Sequence, residues 1–331
     1  MKAMVMPHPG GPEVLCEQEV PEPTLRGPHD MLIRMHAAGV NPIDTKLRAR
    51  GTYYPERLPA ILGCDGAGVV EKIGESVERF QPGDAVYFCY GGIGGHPGTY
   101  AQYAVVSQYH AARMPDTLDF VQAAGVPLAL ITAWESLFER VSLSKGQSIL
   151  IQGGTGGVGH LAVQLALHQG AKVCATVGTA EGAAWLRERG AHSILYREQD
   201  VVGAVRGVFP DGVDIGLDGV GGEVFAQTCQ AVRDYGEVVT LLAPPEGMDW
   251  GEARSRNLRI SLELMLTPMF KHLEKQLIRQ AQILREGARL IEEGKLHIHI
   301  HQALPLSEAA HAHRLLESGG IQGKLVLVID G

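Results

Sequence analysis

The plainest chemistry in this chain lies between Ser148 and His160. The apolar run Ser148-Ile149-Leu150-Ile151-Gln152 leads directly into Gly153-Gly154-Thr155-Gly156-Gly157-Val158-Gly159-His160, where Gly154, Gly156 and Gly159 satisfy G-x-G-x-x-G. Beyond it, Val158, Leu161, Ala162, Leu165 and Ala166 form one helical stripe. The first glycine of such a turn permits a tight bend, and the second lets backbone come close to a pyrophosphate. The third lets helix and strand pack, and the N–H groups that open the helix face the phosphate oxygens. The glycine pattern alone is weak; the strand before it and the helix after it make it a dinucleotide site.

The adenosine end is informative by what it lacks. An Asp or Glu for the ribose hydroxyls belongs about 20 residues past the turn, at the end of the second strand. Val177-Gly178-Thr179-Ala180 stands there instead, so nothing repels a 2′-phosphate, and Glu181 reads as an acid in the first turn of the next helix. Tyr196 and Arg197 end the third strand and could reach that phosphate. Asp218-Gly219-Val220-Gly221 and Leu242-Ala243 end the fourth and fifth, where open α/β sheets bind their ligands.

Two other groups invite chemistry. His297-Ile298-His299-Ile300-His301 would set three imidazoles on one face of a strand and the isoleucines on its buried face. Neighbours on such a face stand about 6.6–7 Å apart, which suits exposed stacking better than a tetrahedral ion. His311 and His313, on the helix that follows, read as partly buried or surface residues. The five cysteines, Cys16, Cys64, Cys89, Cys174 and Cys229, are odd in number and scattered, which fits a reducing compartment rather than a disulfide framework.

The elements that must position these residues fall into two styles. Residues 1–124 read as short strands punctuated by Gly and Pro: Met31–Ala37, with Arg34 and His36 off its apolar face, then Gly66–Gly74, Asp84–Phe88 and Tyr100–Val106. That pattern suggests a compact, partly closed β-domain. Over 125–265 apolar runs alternate with helical stretches: Ser148–Gln152, Lys172–Val177, His192–Tyr196, Asp214–Asp218, Glu237–Leu242 and Leu258–Leu264. Six such strands predict a doubly wound parallel sheet. Residues 266–331 predict one long helix over Pro268–Glu293, a strand, a helix over Ser307–Glu317 with Ser307 as its N-cap, and a last strand, Lys324–Ile329.

Composition bounds the rest. The chain has 331 residues, 29 Lys+Arg against 37 Asp+Glu and a formal net charge of −8, so it offers no general field for nucleic acid or anionic membranes. Its 42 glycines follow no repeat and read as positional. The N-terminus reaches Pro7 before an apolar signal core could form, and the longest apolar stretch, Gly125–Trp134, is about half of the ~20 residues a membrane span needs. We therefore expect a cytoplasmic globular protein.

Five segments in order resemble the medium-chain dehydrogenase/reductases, in their zinc-free quinone oxidoreductase branch. They are Ala37-Ala38-Gly39-Val40-Asn41-Pro42-Ile43-Asp44, Leu62-Gly63-Cys64-Asp65-Gly66-Ala67-Gly68-Val69-Val70, Gln81-Pro82-Gly83-Asp84, the glycine turn, and Gln322-Gly323-Lys324-Leu325-Val326-Leu327. The likeness covers nearly the whole chain. It implies an α/β protein in which a GroES-like β-domain, made from 1–124 and the return 266–331, accompanies a Rossmann domain, 125–265, with nicotinamide and substrate in the cleft. In the family's zinc alcohol dehydrogenases a Cys ligand falls at Asn41 and a His-Glu pair at Cys64-Asp65. A catalytic zinc needs three protein ligands, so the resemblance implies no metal here and leaves Cys64 as a small buried residue.

Without a Lewis acid, an unactivated alcohol is a poor substrate. An electron-poor acceptor is a good one: a quinone, or a C=C conjugated to a carbonyl. The resemblance implies Asn41 and Tyr53 as catalytic residues. Tyr53 is preferred to Tyr54 because it directly follows Thr52, and its phenol either donates a proton or only packs on nicotinamide. Asp44 reads as a turn cap. The implied cofactor contacts are Asn41, Thr132, Gly154, Thr155, Gly156, Gly157, Val158, Gly159, Gly178, Thr179, Tyr196, Asp218, Gly219, Leu242, Ala243 and Lys324. NADPH is the expected cofactor, with NADH possible, since the family's basic residue for the 2′-phosphate falls at Gly182. The expected partners are a small electrophilic substrate and a second copy of the chain, paired along Leu258–Leu264. Competing readings are an enoyl-thioester reductase, a zinc-type alcohol dehydrogenase and a non-catalytic nucleotide-binding protein.

Overall fold

A computed structural model describes residues 1–330. It divides into two units: Thr132–Met265 with Lys295–His297, and Met1–Ile131 with Leu266–Gly294 and the chain from Ile298 onward.

The unit built on Thr132–Met265 holds six parallel strands. Counted along the chain they stand in the order 3-2-1-4-5-6: His192–Leu195, Lys172–Val177, Ser148–Ile151, Val213–Asp218, Val232–Thr240 and Arg259–Leu262. This is the expected doubly wound sheet. Ser148–Ile151 is buried at every position, because helices cover both faces of a parallel sheet and its strands become uninterrupted apolar runs. Phe225, Cys229 and Val213 pack with Leu150, Cys174 and Ile194 into one cluster. Two helices begin on side-chain caps, with Thr179 Oγ1 accepting from the Gly182 N–H at 3.1 Å and Asp200 Oδ2 from the Gly203 N–H at 2.9 Å. The fifth strand starts at Val232 rather than the expected Glu237.

The other unit carries a seven-stranded sheet. Its main path runs Ile300–Pro305, Lys324–Val328, Asp30–Val40, Asp65–Ile73, Ala85–Cys89 and Ala111–Arg113, and Tyr103–Ser107 also pairs with Asp30–Val40. Lys2–Met6 forms a smaller sheet with Cys16–Glu19 and Ala60–Ile61. Asp30–Val40 is the hub. Its first residues pair with Tyr103–Ser107, its last with Lys324–Val328, and Asp65–Ile73 lies along its other edge. Arg34 and His36 are its two half-buried positions, as the alternation predicts.

Four expectations fail in the C-terminal part. The helix over Pro268–Glu293 is two helices, Thr267–Phe270 and Glu274–Glu292. Between them His272 adopts a left-handed φ of +54°, and the Leu273 N–H bonds back to the Pro268 carbonyl at 2.9 Å, a Schellman-type stop. Ser307 is not an N-cap. Pro305 turns the chain into a 3₁₀ turn over Leu306–Glu308, so Ser307 already lies inside the winding and the helix Ala309–Ser318 starts from Glu308. The histidine row is no strand face: pairing begins only at Ile300, while His297 is tied by its backbone to the Gln164 side chain. His297, His299 and His301 are exposed, but Ile298 and Ile300 are only half-buried. His313 is fully buried rather than partly buried or at the surface.

Candidate active site

The glycine turn sits between the first strand and the helix Gly159–His168. Its glycines are required for distinct reasons. Gly153 has φ +71°. A Cβ on Gly154 would lie 2.6 Å from Ala175 Cβ on the neighbouring strand, and one on Gly159 would lie 2.0 Å from the Gly153 carbonyl oxygen. A Cβ on Gly156 would meet nothing nearer than that oxygen, at 3.3 Å, so this position is kept open toward a ligand rather than toward the protein. The amides of Gly157 and Val158 make no hydrogen bond among the described residues. An open backbone at the head of a helix, closed behind by packing, fits a pyrophosphate.

A buried polar triad holds this turn from below. Thr176 Oγ1 donates to Gln152 Oε1 at 2.8 Å and accepts from the Gly153 N–H at 2.9 Å, while Gln152 Nε2 donates to Thr228 Oγ1 at 3.0 Å. Asp218 acts similarly one strand over. Its carboxylate accepts the N–H groups of Val220 and Gly221 at 3.0 and 2.9 Å and the Thr240 hydroxyl at 2.8 Å, fixing the turn that contains Gly219. Thr240 in turn bonds the backbone of Leu242 at 3.2 Å, with exposed Ala243 beyond it. Thr132 is buried, and Thr155 half-buried in the turn.

Past the end of the second strand, Gly178 and Thr179 precede the helix Ala180–Glu188, with Glu181 in its first turn. Tyr196 is exposed, and its hydroxyl lies 2.9 Å from where a Cβ on Gly178 would be. Arg197 stacks its guanidinium 5.8 Å from the Tyr196 ring. A Cβ on Gly182 would meet Val177 Cγ2 at 2.4 Å, so a side chain there would have to displace Val177.

The β-unit brings together Asn41, Asp44, Tyr53, Cys64, Asp65 and Lys324. Asn41, 1% exposed, opens the helix Pro42–Arg50 and donates its backbone N–H to Asp44 Oδ2 at 2.8 Å. Its amide Nδ2 donates to Asp65 Oδ2 at 2.9 Å, and its Oδ1 accepts from the Lys324 ammonium. Asp65 also takes the Leu128 N–H at 2.8 Å, and Lys324 Nζ lies 3.6 Å from Asp65 Oδ2. Burial raises Asp44 to about 7 and raises Asp65 as well; the Lys324 charge opposes both shifts. Burial, then the charges of Asp44 and Asp65, push the Cys64 thiol well up, so it is an inert packing group. Among the described residues no three His, Cys, Asp or Glu side chains converge as a metal site would need, and the Lys324 ammonium already pairs with Asp65, one of the corner's carboxylates. The residues present do not fit zinc.

Tyr53 and Tyr54 diverge. The Tyr54 hydroxyl is engaged, donating to the Phe270 carbonyl at 3.3 Å and lying 3.2 Å from His272 Nε2, and Arg57 stacks on its ring at 5.3 Å. Tyr53 is 41% exposed, stacks on Phe270 at 4.7 Å and 10°, and makes no hydroxyl hydrogen bond among the described residues. Burial, then the neighbouring Cys64, raise its phenol above the ordinary value, so it stays protonated at neutral pH. A pocket of about 230 Å³ opens nearby between Arg57, Pro59, Ala60 and Ile61 and the loop Gly94–Pro97.

Sequence reasoning missed Phe270, His272, the Gln152–Thr176–Thr228 triad and the Lys324–Asp65 pair. Only Gln152, a polar residue closing an apolar strand just before the turn, carried a readable signal.

Comparisons with known proteins give the family. Residues 27–116 match the alcohol dehydrogenase GroES-like domain and 189–327 a zinc-binding dehydrogenase domain. The quinone oxidoreductase of Rattus norvegicus is 32% identical over 97% of this chain and 95% of its own. The structure of the quinone oxidoreductase from Coxiella burnetii is similar with a TM-score of 0.86 at 34% identity, over 100% of this chain and 99% of that one. That of the Escherichia coli quinone oxidoreductase complexed with NADPH matches with a TM-score of 0.86 at 28% identity, over 99% and 100%. With a doubly wound nucleotide unit, a GroES-like unit and full-length relatives of this kind, the chain belongs to the medium-chain dehydrogenase/reductase superfamily, in its quinone oxidoreductase branch, and is an NAD(P)H-dependent oxidoreductase.

Proposed function

We propose that this protein reduces quinones or α,β-unsaturated carbonyls with NADPH and without a metal ion. The observation that carries the reading is Tyr53: a half-exposed phenol, held flat by Phe270, protonated, and with its hydroxyl left for a ligand. The nicotinamide supplies the hydride, two electrons and one hydrogen nucleus. The glycine turn and the amides of Gly157 and Val158 hold the pyrophosphate, and Gln152 and Thr176 keep that turn in place. Tyr53 hydrogen-bonds the acceptor oxygen and gives up its proton as charge develops there, and water reprotonates the phenolate. In the buried corner an asparagine amide is a poor zinc donor, burial keeps the Cys64 thiol protonated, and Asp65 is already paired with the Lys324 ammonium. They support the metal-free reading.

The experiment is a panel of quinones, alkenals and enoyl thioesters assayed with each nicotinamide cofactor. We expect quinones and alkenals to turn over and NADPH to lead NADH by about tenfold in kcat/KM. One charge-assisted contact, missing at Gly182, is worth about 1.5–3 kcal/mol and keeps that margin modest. Tyr196→Ala should shrink it. Equal use of NADH would assign control to Glu181 instead. Turnover of enoyl thioesters alone would replace the proposed substrate class, and cofactor binding with no turnover would leave a passive nucleotide binder.

Zinc content checks the metal-free part separately. Purified protein should hold well under one zinc per chain and keep its turnover after chelation. One tight zinc, lost together with activity, would reverse that part of the reading.

A further inference from the structure

The corner formed by Asn41, Asp44, Asp65 and Lys324 contains two carboxylates and one ammonium, all almost wholly out of water. Removing charges from water is costly unless they are paired and hydrogen-bonded. Asp65 meets that condition through Asn41, the Leu128 N–H and Lys324. Lys324, 3% exposed, meets it through Asn41 Oδ1 and Asp65. Both ends of the Asn41 amide are thus specified: the oxygen must face the ammonium and the nitrogen the carboxylate, which excludes the flipped amide. The cation that offsets Asp65 is covalently attached, through a side chain carried on the last strand, Lys324–Val328.

We propose that Lys324 is a positioning residue whose ammonium serves as the fixed cation of this corner, neutralising Asp65 and locking the orientation of the Asn41 amide. The inference deepens the reductase reading and rests on it for its kinetic consequence, but its central test needs no turnover. Lys324→Ala removes three methylenes and the ammonium, leaving a space of the size and charge preference of propylammonium.

The melting temperature of Lys324→Ala should fall by roughly 6–15 °C, the effect of leaving a buried carboxylate without its partner. Propylammonium chloride should restore it saturably, while tetramethylammonium chloride and sodium chloride at equal ionic strength should not. Wild-type protein should respond to none of the three. Lys324→Met keeps the volume without the charge, so it should lose turnover at least tenfold and should not be rescued by propylammonium. A Lys324→Ala protein that melts like wild type, or that responds equally to all three salts, overturns the proposal. If Lys324→Ala cannot be recovered folded, Lys324→Met decides alone, and wild-type kcat in that variant overturns the proposal. Should wild-type protein reduce no acceptor in the panel, the reductase reading falls, while rescue by propylammonium still stands or fails by itself.

Discussion

Gly159→Ala should abolish measurable NADPH binding and lower the stability of the nucleotide unit, whereas Gly156→Ala should weaken binding and leave stability alone. The two glycines belong to the same motif, but the added methyl meets different surroundings. At Gly159 it would lie 2.0 Å from the Gly153 carbonyl oxygen, 2.9 Å from the Gly153 carbonyl carbon and 3.0 Å from Gly154 Cα, all backbone that cannot rotate away. Such overpacking costs about 1–3 kcal/mol. It must also displace the turn that Thr176 and Gln152 hold in register. At Gly156 the methyl finds only the Gly153 oxygen, at 3.3 Å, and otherwise projects into open space. If that space is where the pyrophosphate lies close to the backbone, the loss is about one charge-assisted contact, roughly 1.5–3 kcal/mol or ten- to a hundredfold in affinity. Fluorescence titration with NADPH and thermal melting of the two variants check this. A Gly156→Ala protein with unchanged affinity would move the pyrophosphate off the turn. A Gly159→Ala protein that melts and binds normally would show that the turn can relax.

The nucleotide unit was legible in advance because its determinants are local. Parallel strands buried on both faces become unbroken apolar runs such as Ser148–Ile151, and the glycine turn must follow the first of them. The buried corner around Asn41 was legible only through its resemblance to a family, because its partners lie far apart in the chain. Asn41 finds Asp65 across 24 positions and Lys324 across 283, and no periodicity links them. Phe270 was hidden for another reason. The stretch Met269-Phe270-Lys271-His272-Leu273 contains neither Gly nor Pro, so nothing local marks a helix end. His272 nonetheless enters the left-handed region, and the resulting stop leaves the Phe270 ring against Tyr53 and its carbonyl on Tyr54. A non-glycine residue held there is costly unless its surroundings fix it, and the His272–Tyr54 contact at 3.2 Å does so. The Ser307 cap failed on a similar detail, since Ser307 has a good capping side chain but lies two residues past Pro305, inside the winding that Pro305 begins.

Tyr53→Phe should lower turnover with alkenals by about a hundredfold while changing quinone reduction by no more than a few-fold. General acid catalysis is worth about 10²–10⁴, and the two acceptors differ in how much they need it. A reduced quinone carries its new charge on oxygen and takes a proton readily from water. An alkenal must have its enolate oxygen stabilised as the hydride arrives, or the equilibrium lies against transfer. Phenylalanine keeps the ring that stacks on Phe270 at 4.7 Å, so NADPH affinity and melting temperature should match wild type. Tyr53→Leu separates the two roles. It removes both ring and hydroxyl, so a packing role predicts equal losses on the two acceptors for Leu and none for Phe. The pH profile gives an independent reading. Because burial raises the Tyr53 phenol above its ordinary value of about 10, the donor form persists through pH 9. Alkenal turnover should therefore stay level there and fall only above that phenol's raised pKa, a limb absent from Tyr53→Phe. An alkenal rate indifferent to Tyr53→Phe would direct attention to Tyr54. That residue could serve only by releasing the Phe270 carbonyl and His272, so in that case His272→Ala should raise the rate rather than lower it.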